Sequence, residues 1–529
     1  MNIAILLQTA ASSFAHRPAI SFGDQLYASY EQFGDRVARI AASIRSAGLV
    51  KGDRVGIAMT NAPEYLEILF GIWHAGLCAV PMNAKLHERE VNYALEHSGS
   101  RWCFITQDLS VKLASLPEYV PSIERVIVAG SDSYRDLFSS TPMPIAEVEA
   151  RDPAWLFYTS GTTGRPKGAT LTHHSLMAMT LRYFADIDEV TEQDCMLHAA
   201  PMSHGGGLYA LPHIAKASHH VVPVSTGFDP TEIFELTHLY NNLTFFVVPT
   251  MLNRLVNHPA VLQANLNGVK TIFYGGAPMY VEDLKRAIDT FGPKLVGIYA
   301  QGETPNTLTF LSKRAHADVG NPRYEEHLSS VGIARTGVNL RVVDDHGKDL
   351  PLGEIGEIIT RSDVCMDGYW NNPEATEKTL RDGWLFTGDM GCISDDGYLS
   401  LKDRSKDLII SGGSNIYPRE VEEVLLLHPG VLEVSVVGRP HHDWGEEVVA
   451  FIVVRSGYNF SVEELDAICM DNIARYKRPK EYIILSELPK SDYGKVLKSE
   501  LRKLLKNSND ASEACQVFTV DRDLNAASE

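Results

Sequence analysis
The residues best equipped for chemistry lie in one stretch, Tyr158-Thr159-Ser160-Gly161-Thr162-Thr163-Gly164-Arg165-Pro166-Lys167-Gly168. Three glycines leave backbone N–H groups open to an anion, four aliphatic hydroxyls add donors, and Lys167 adds a mobile cation. Such a set can surround phosphate oxygens. The stretch directly follows the apolar run Ala154-Trp155-Leu156-Phe157, so a buried strand would deliver it to a fixed place. A plain surface loop seldom combines these groups behind a buried strand. It is not a Walker A loop, because Gly161 is followed by Thr-Thr-Gly-Arg and then Pro166, where that pattern needs Gly-Lys-Ser/Thr.

Two features narrow the chemistry further. The net charge of −19 makes a general nucleic-acid surface improbable and obliges any anionic substrate to be met by a local group of cations. Arg475-Tyr476-Lys477-Arg478-Pro479-Lys480 supplies four cations in six residues. Other chemistries find no support. His204-Gly205-Gly206-Gly207 has the look of a hydrolase oxyanion motif, but the chain has no Gly-x-Ser-x-Gly elbow. The adjacent pairs His173-His174, His219-His220 and His441-His442 lack the spacing of a zinc site.

With the motifs that follow in order, the chain resembles the adenylate-forming superfamily of acyl-CoA synthetases, adenylation domains and luciferases, over about residues 20 to 503. The resemblance implies an ATP site formed by Thr159, Ser160, Gly161, Thr162, Thr163, Gly164 and Lys167. Gly275-Gly276-Ala277-Pro278 is similar to the turn lining the adenine and acyl pockets. Tyr299-Ala300-Gln301-Gly302-Glu303 is similar to the family's tyrosine-glycine-x-threonine-glutamate segment, so Tyr299 would pack on adenine and Glu303, with Thr159, would hold Mg2+. Gly302 departs from that pattern and removes a hydroxyl aimed at the α-phosphate, for which nearby Thr304 is a candidate substitute. A lost hydrogen bond to a charged group costs about 1.5–3 kcal/mol, enough to slow such an enzyme but not to abolish its activity.

By the same resemblance, Asp389 in Trp384-Leu385-Phe386-Thr387-Gly388-Asp389 and Arg404 in Lys402-Asp403-Arg404 would clamp the ribose. Lys495, in Leu488-Pro489-Lys490-Ser491-Asp492-Tyr493-Gly494-Lys495-Val496, would be the catalytic cation, Lys406 the hinge, and Gly413 part of a pantetheine tunnel. Arg475, Lys477 and Arg478 would hold the phosphates of coenzyme A. His204 would gate an acyl pocket built with Tyr209, Tyr274, Gly275 and Asn306. The reaction implied is ATP-dependent activation of a small-molecule carboxylic acid as an acyl-adenylate, then transfer to coenzyme A. The Gly-Gly-Ala-Pro form tilts the acid toward a fatty or medium chain. An aryl or hydroaromatic acid, loading of a separate carrier protein, and a non-catalytic sensor are the alternatives. The absence of a carrier domain favours coenzyme A.

The elements that must position these groups are legible in outline. At 529 residues the chain should form about three or four packed units. A hydrophobic share of 44 % and a charged share of 22 % fit a folded enzyme. Strand-like Val55-Gly56-Ile57-Ala58-Met59, a helix opening at Asn61 with Glu64 three residues on, a strand at Ala79-Val80-Pro81, a helix over 88–97 and the strand Trp102-Cys103-Phe104-Ile105 imply βαβ units. The fold class is therefore α/β: a large N-terminal domain of βαβ-layered subdomains over 1–404, with a β-rich subdomain at about 332–404, and an α+β lid over 405–506. Residues 507–529 are polar and are expected to be a flexible tail. Residues 65–82 carry Glu67 and His74 and read as a buried helix and strand, not as a membrane span. Residues 1–15 lack the basic start of a secretory signal, and seven scattered cysteines fit a reducing cytoplasm. A homodimer is compatible with all of this.

Overall fold
The computed structural model describes residues 1–159, 165–404, 407–411, 414–458, 460–491, 495–507 and 516–519. Of Asp403, Arg404, Lys506, Asn507 and 516–519, only the backbone is considered. Three sheets build a large N-terminal domain and a fourth builds a smaller C-terminal one.

The first sheet is nine-stranded, and its middle is parallel, running Leu295–Gln301, Val269–Gly275, Leu243–Val247, Cys195–Leu197, His219–Val222 and Pro18–Phe22. The second orders Arg125–Val128, Ser100–Ile105, Arg54–Met59, Cys78–Asn83, Pro153–Thr159 and Lys167–Thr172. Its last pair is an antiparallel hairpin. The helix Glu64–His74 is buried along its length, and its Trp73, edge-on to Phe70, meets Trp155 of the second sheet. A helix covered on all sides cannot show a polar stripe, which is why its sequence resembles a span. Among the described residues no helix is long and apolar enough to cross a membrane.

Asn61 does not cap that helix. The cap position is Pro63, with no side-chain bond, and Asn61 is buried and turned toward 198–202. The third sheet is antiparallel and holds Asn339–Val343, Gly356–Arg361, Trp384–Ile393, Leu380–Arg381 and Leu399–Arg404.

The C-terminal sheet centres on the long antiparallel pair Val431–His441 and Gly445–Val454. Part of the expected tail joins it, because Gln516–Thr519 pairs antiparallel with Glu481–Leu485. Val, Phe and Thr favour a strand, which is enough for an edge strand once a partner edge exists. The helix Pro418–Leu425 docks this domain on the N-terminal one: buried Arg419 donates to the carbonyls of Met279 (3.3 Å) and Ser329 (3.2 Å), and the Tyr280 hydroxyl donates to Glu422 (3.0 Å). The contact falls directly after the Gly275–Pro278 turn.

Candidate active site
The hairpin register places Thr159 opposite Lys167. The strands that flank the phosphate-loop candidate are therefore paired and fixed in a sheet. Residues 366–370 lie along its second strand: Asp367 N–H donates to Thr170 (3.0 Å), Thr170 N–H to Gly368 (2.9 Å), and Trp370 N–H to Gly168 (2.8 Å). That pairing brings Tyr369 beside Lys167, whose Nζ stands 4.7 Å from the ring centroid. The Tyr369 hydroxyl donates to Glu303 Oε1 at 2.7 Å, and Thr159 Oγ1 donates to the same oxygen at 3.2 Å. Burial, and then the Glu303 charge, push the Tyr369 phenol up from its ordinary value, so it is a fixed donor. Met366 N–H donates to the Glu303 carbonyl at 2.8 Å, locking the backbone as well. Tyr369 had no motif to announce it; only its backbone pairing reveals it.

Glu303 lies where Leu295–Gln301 turns back into Thr304–Leu311. On the first of those strands, the Tyr299 hydroxyl donates to Asp389 Oδ2 at 2.9 Å, and Gln301 Nε2 donates to the same oxygen at 2.7 Å. Asp389 sits within the strand Trp384–Ile393, opposite Arg404 on Leu399–Arg404. The two ribose-clamp candidates are thus cross-strand neighbours, and the Tyr299 and Asp389 candidates are in contact.

Thr304, the candidate substitute for the missing hydroxyl, faces inward. It is fully buried, and its Oγ1 accepts from Gln301 N–H at 3.1 Å, which closes the turn from inside. Gly275 approaches the neighbouring strand so closely that a Cβ there would lie 2.4 Å from the Ile298 carbonyl oxygen. Gly276 follows with φ +81°, which aims Ala277 and Pro278 out of the sheet. Ala300 packs beside the apolar cluster of Tyr209 and Phe273.

A family model described as AMP-binding enzyme matches residues 7–370, and one described as AMP-binding enzyme C-terminal domain matches 420–495. The chain belongs to the AMP-binding enzyme family. It is 35 % identical over 490 residues to a feruloyl-CoA synthase from Amycolatopsis sp, covering 92 % of this chain and 96 % of the relative. It is 34 % identical over 508 residues to the fatty acid–[acyl-carrier-protein] ligase ScoC of Streptomyces coeruleorubidus, covering 94 % and 96 %. Among solved structures, ATP-bound MatB from Rhodopseudomonas palustris superposes with a TM-score of 0.86 at 29 % identity, covering 96 % of this chain and all of that one; apo MatB gives 0.77. This is an adenylate-forming enzyme of the acyl-CoA synthetase type.

In this AMP-binding enzyme the acyl-gate candidate, His204, opens the short helix Gly205–Leu208. Burial pushes its imidazole down to about 3, so it stands neutral, with Nδ1 on Ser203 Oγ at 2.9 Å. Side chains from three other parts of the chain hold the backbone around this gate candidate, the pocket candidate Asn306 among them. Asn61 Nδ2 donates to the carbonyls of His198 (2.8 Å) and Ala200 (2.9 Å), while its Oδ1 accepts from Met202 N–H (2.9 Å). From the other side, Asn306, at φ +50°, donates from Nδ2 to the Gly205 carbonyl at 3.0 Å. Buried Arg335 holds the Asn306 carbonyl at 3.3 Å and is neutralised by Asp186 at 2.8 Å.

Tyr209 stacks on Phe273 at 4.7 Å and 9°, beside Phe246 and Tyr183. Tyr274 was expected in the same pocket, but successive strand residues face opposite sides. Its ring lies in the other core, with the hydroxyl 2.9 Å from His316 Nε2.

Among the C-terminal candidates, Lys495 is exposed, and its N–H donates to Ser491 Oγ at 3.3 Å. The expected coenzyme A cluster is partly neutralised by its own domain: Lys477 pairs with Glu420 at 2.6 Å, and Arg478 pairs with Asp466. Arg475 is exposed. Ser160, Gly161, Thr162, Thr163, Gly164, Lys406 and Gly413 lie outside the described residues, as does the side chain of Arg404.

Proposed function
We propose that the enzyme converts ATP and a carboxylic acid into acyl-AMP and pyrophosphate, and then transfers the acyl group to coenzyme A. The observation that carries this is the Thr159–Glu303–Tyr369–Lys167 constellation, one contact network with a carboxylate, two hydroxyls and a cation at the ends of the hairpin. In the first step an acid oxygen bonds to the α-phosphorus as the α–β bridging bond breaks. Negative charge gathers on the phosphoryl oxygens, and Lys167 and Lys495 stabilise it more in the transition state than before it. The Glu303 carboxylate and Thr159 hydroxyl are hard oxygen donors suited to Mg2+, which would neutralise phosphate charge there. In the second step the thiol sulfur bonds to the acyl carbon, AMP leaves with the electron pair of the anhydride bond, and the thiol proton goes to solvent.

Coenzyme A as acceptor is supported by the coenzyme A-directed name of the 35 %-identical relative; the carrier-protein name of ScoC keeps a carrier as the second reading. For the acid, the Tyr209–Phe273 stack behind the gate supports an aryl or medium-chain tail. The apolar walls and the six described cysteines, all unpaired, suit a cytoplasmic metabolic enzyme. Pyrophosphate release across a panel of aryl, medium-chain and long-chain acids tests the first step. AMP release with and without coenzyme A tests the second, and carboxylate-dependent ATP–pyrophosphate exchange no higher than background would sink both.

A further inference from the structure
Gly302 and Phe157 compete for one volume. A Cβ at Gly302 would lie 2.5 Å from Thr159 Cγ2 and 2.7 and 3.0 Å from Phe157 Cδ1 and Cε1. Neither neighbour can readily yield. Both sit on Pro153–Thr159, which is paired along its length with Lys167–Thr172, and the Phe157 ring is backed by Trp155 at 6.2 Å and 20°. The ring also meets His204 edge to face, at 5.1 Å and 81°. Phe157 is therefore wedged between the segment that carries Glu303 and the histidine of the acyl gate.

We propose that Phe157 is a specificity-determining residue: its ring is the wall at the mouth of the acyl pocket, beside the first carbons beyond the carboxylate, and position 302 is glycine because that wall fills its side-chain space. This rests on the adenylation reading. A ring and an imidazole set against each other present flat, rigid sides, so the acids accepted are those with an unbranched or planar second carbon, and branching at C2 is excluded. Gly302 acts through Phe157 and is permissive rather than catalytic.

The test compares the wild type with Phe157→Ala, Gly302→Ala and the double variant. Each is assayed for pyrophosphate release with the best acid of the panel and its 2-methyl derivative, with separate KM values for acid and ATP, and for melting temperature. Phe157→Ala should shift kcat/KM toward the 2-methyl acid about tenfold or more, within what one or two methyl-sized contacts can discriminate, while the KM for ATP changes less than about threefold. Gly302→Ala should lower the melting temperature and raise the acid KM, and adding Phe157→Ala should reverse part of both changes, the contact with Thr159 Cγ2 remaining. An unchanged acid preference in a folded Phe157→Ala enzyme, or Gly302→Ala losses that persist in full in the double variant, overturns the proposal. A wild type that turns over no acid refutes the adenylation reading instead, and the melting temperatures then still decide whether the two positions share one volume.

Discussion

Asn61→Ala is the most direct test of how the gate is held. The side chain is 4 % exposed and makes three hydrogen bonds of 2.8–2.9 Å to one stretch of backbone. Each is worth about 1 kcal/mol net, and truncation leaves two carbonyls and one N–H buried without partners, so the loss should reach about 3–5 kcal/mol. The assay is urea unfolding followed through the tryptophan fluorescence of the N-terminal domain, where Trp73 and Trp155 are fully buried. The transition should move to lower urea with its slope unchanged. Since residues 198–202 lead directly into His204, surviving enzyme should show a raised KM for the acid and a near-normal KM for ATP. Asn61→Asp should do no better, because it replaces a donor to two carbonyls with a negative charge. A loss below about 1 kcal/mol, or equal damage to both KM values, would refute the idea that Asn61 holds the gate loop.

The other predictions concern charge and protons. Tyr369→Phe removes the 2.7 Å donor from Glu303 and should cost about 1.5–3 kcal/mol in the adenylation step, roughly a 10- to 100-fold loss in ATP–pyrophosphate exchange, with a higher Mg2+ requirement; an unchanged requirement contradicts the role. Lys495→Ala should cripple adenylation while thioester formation from supplied acyl-AMP survives, and equal loss in both half-reactions would count against it. Burial pushes His198 down to about 3 and His213 to about 4, so below about pH 6.5 the unfolded chain binds protons that the folded one refuses. Stability held above pH 6.5 should therefore fall as the pH drops toward 4, by up to about 1.4 kcal/mol per pH unit for each histidine. Urea midpoints at pH 7.5, 6 and 5 read this directly, and equal midpoints at 6 and 5 would contradict it.

The strands and helices of the second sheet could be read from the sequence because each apolar run is short and bounded by a turn signal. The phosphate-loop candidate was conspicuous because hydroxyls, glycines and a lysine rarely cluster. What stayed hidden was whatever depends on long-range pairing. Tyr369 reaches Glu303 only because 366–370 lie against the hairpin, a pairing between residues about 200 positions apart that leaves no local mark. Asn61 carried a misleading mark, since an asparagine three residues before a glutamate fits a helix cap as well as it fits a buried tie. Tyr274 was misplaced for a reason the strand period could have corrected: it alternates with Phe273, and only one of the two can face Tyr209. The coenzyme A cluster was overcounted because a run of cations says nothing about the acids that fold brings beside it, here Glu420 and Asp466.

On the proposed reaction, the charge balance of the site would give the C-terminal domain a role. The Thr159–Glu303–Tyr369–Lys167 network carries one carboxylate and one ammonium and is close to neutral. Asp389, in backbone register with position 404, adds a second carboxylate. A triphosphate brings about four negative charges, so hydrogen-bond donors alone would leave it under-compensated in a partly dry cleft. On the proposed reading, the remaining positive charge would arrive with Mg2+ and with Lys495 of the C-terminal domain, because a permanent surplus of cations in the cleft would repel itself whenever nucleotide is absent. Arg419 and Glu422 dock that domain on Met279 and Tyr280, directly after the Gly275–Pro278 turn. A lysine delivered on such a domain can stabilise the charge of the first reaction and be withdrawn for the second, which a lysine built into the sheet could not do.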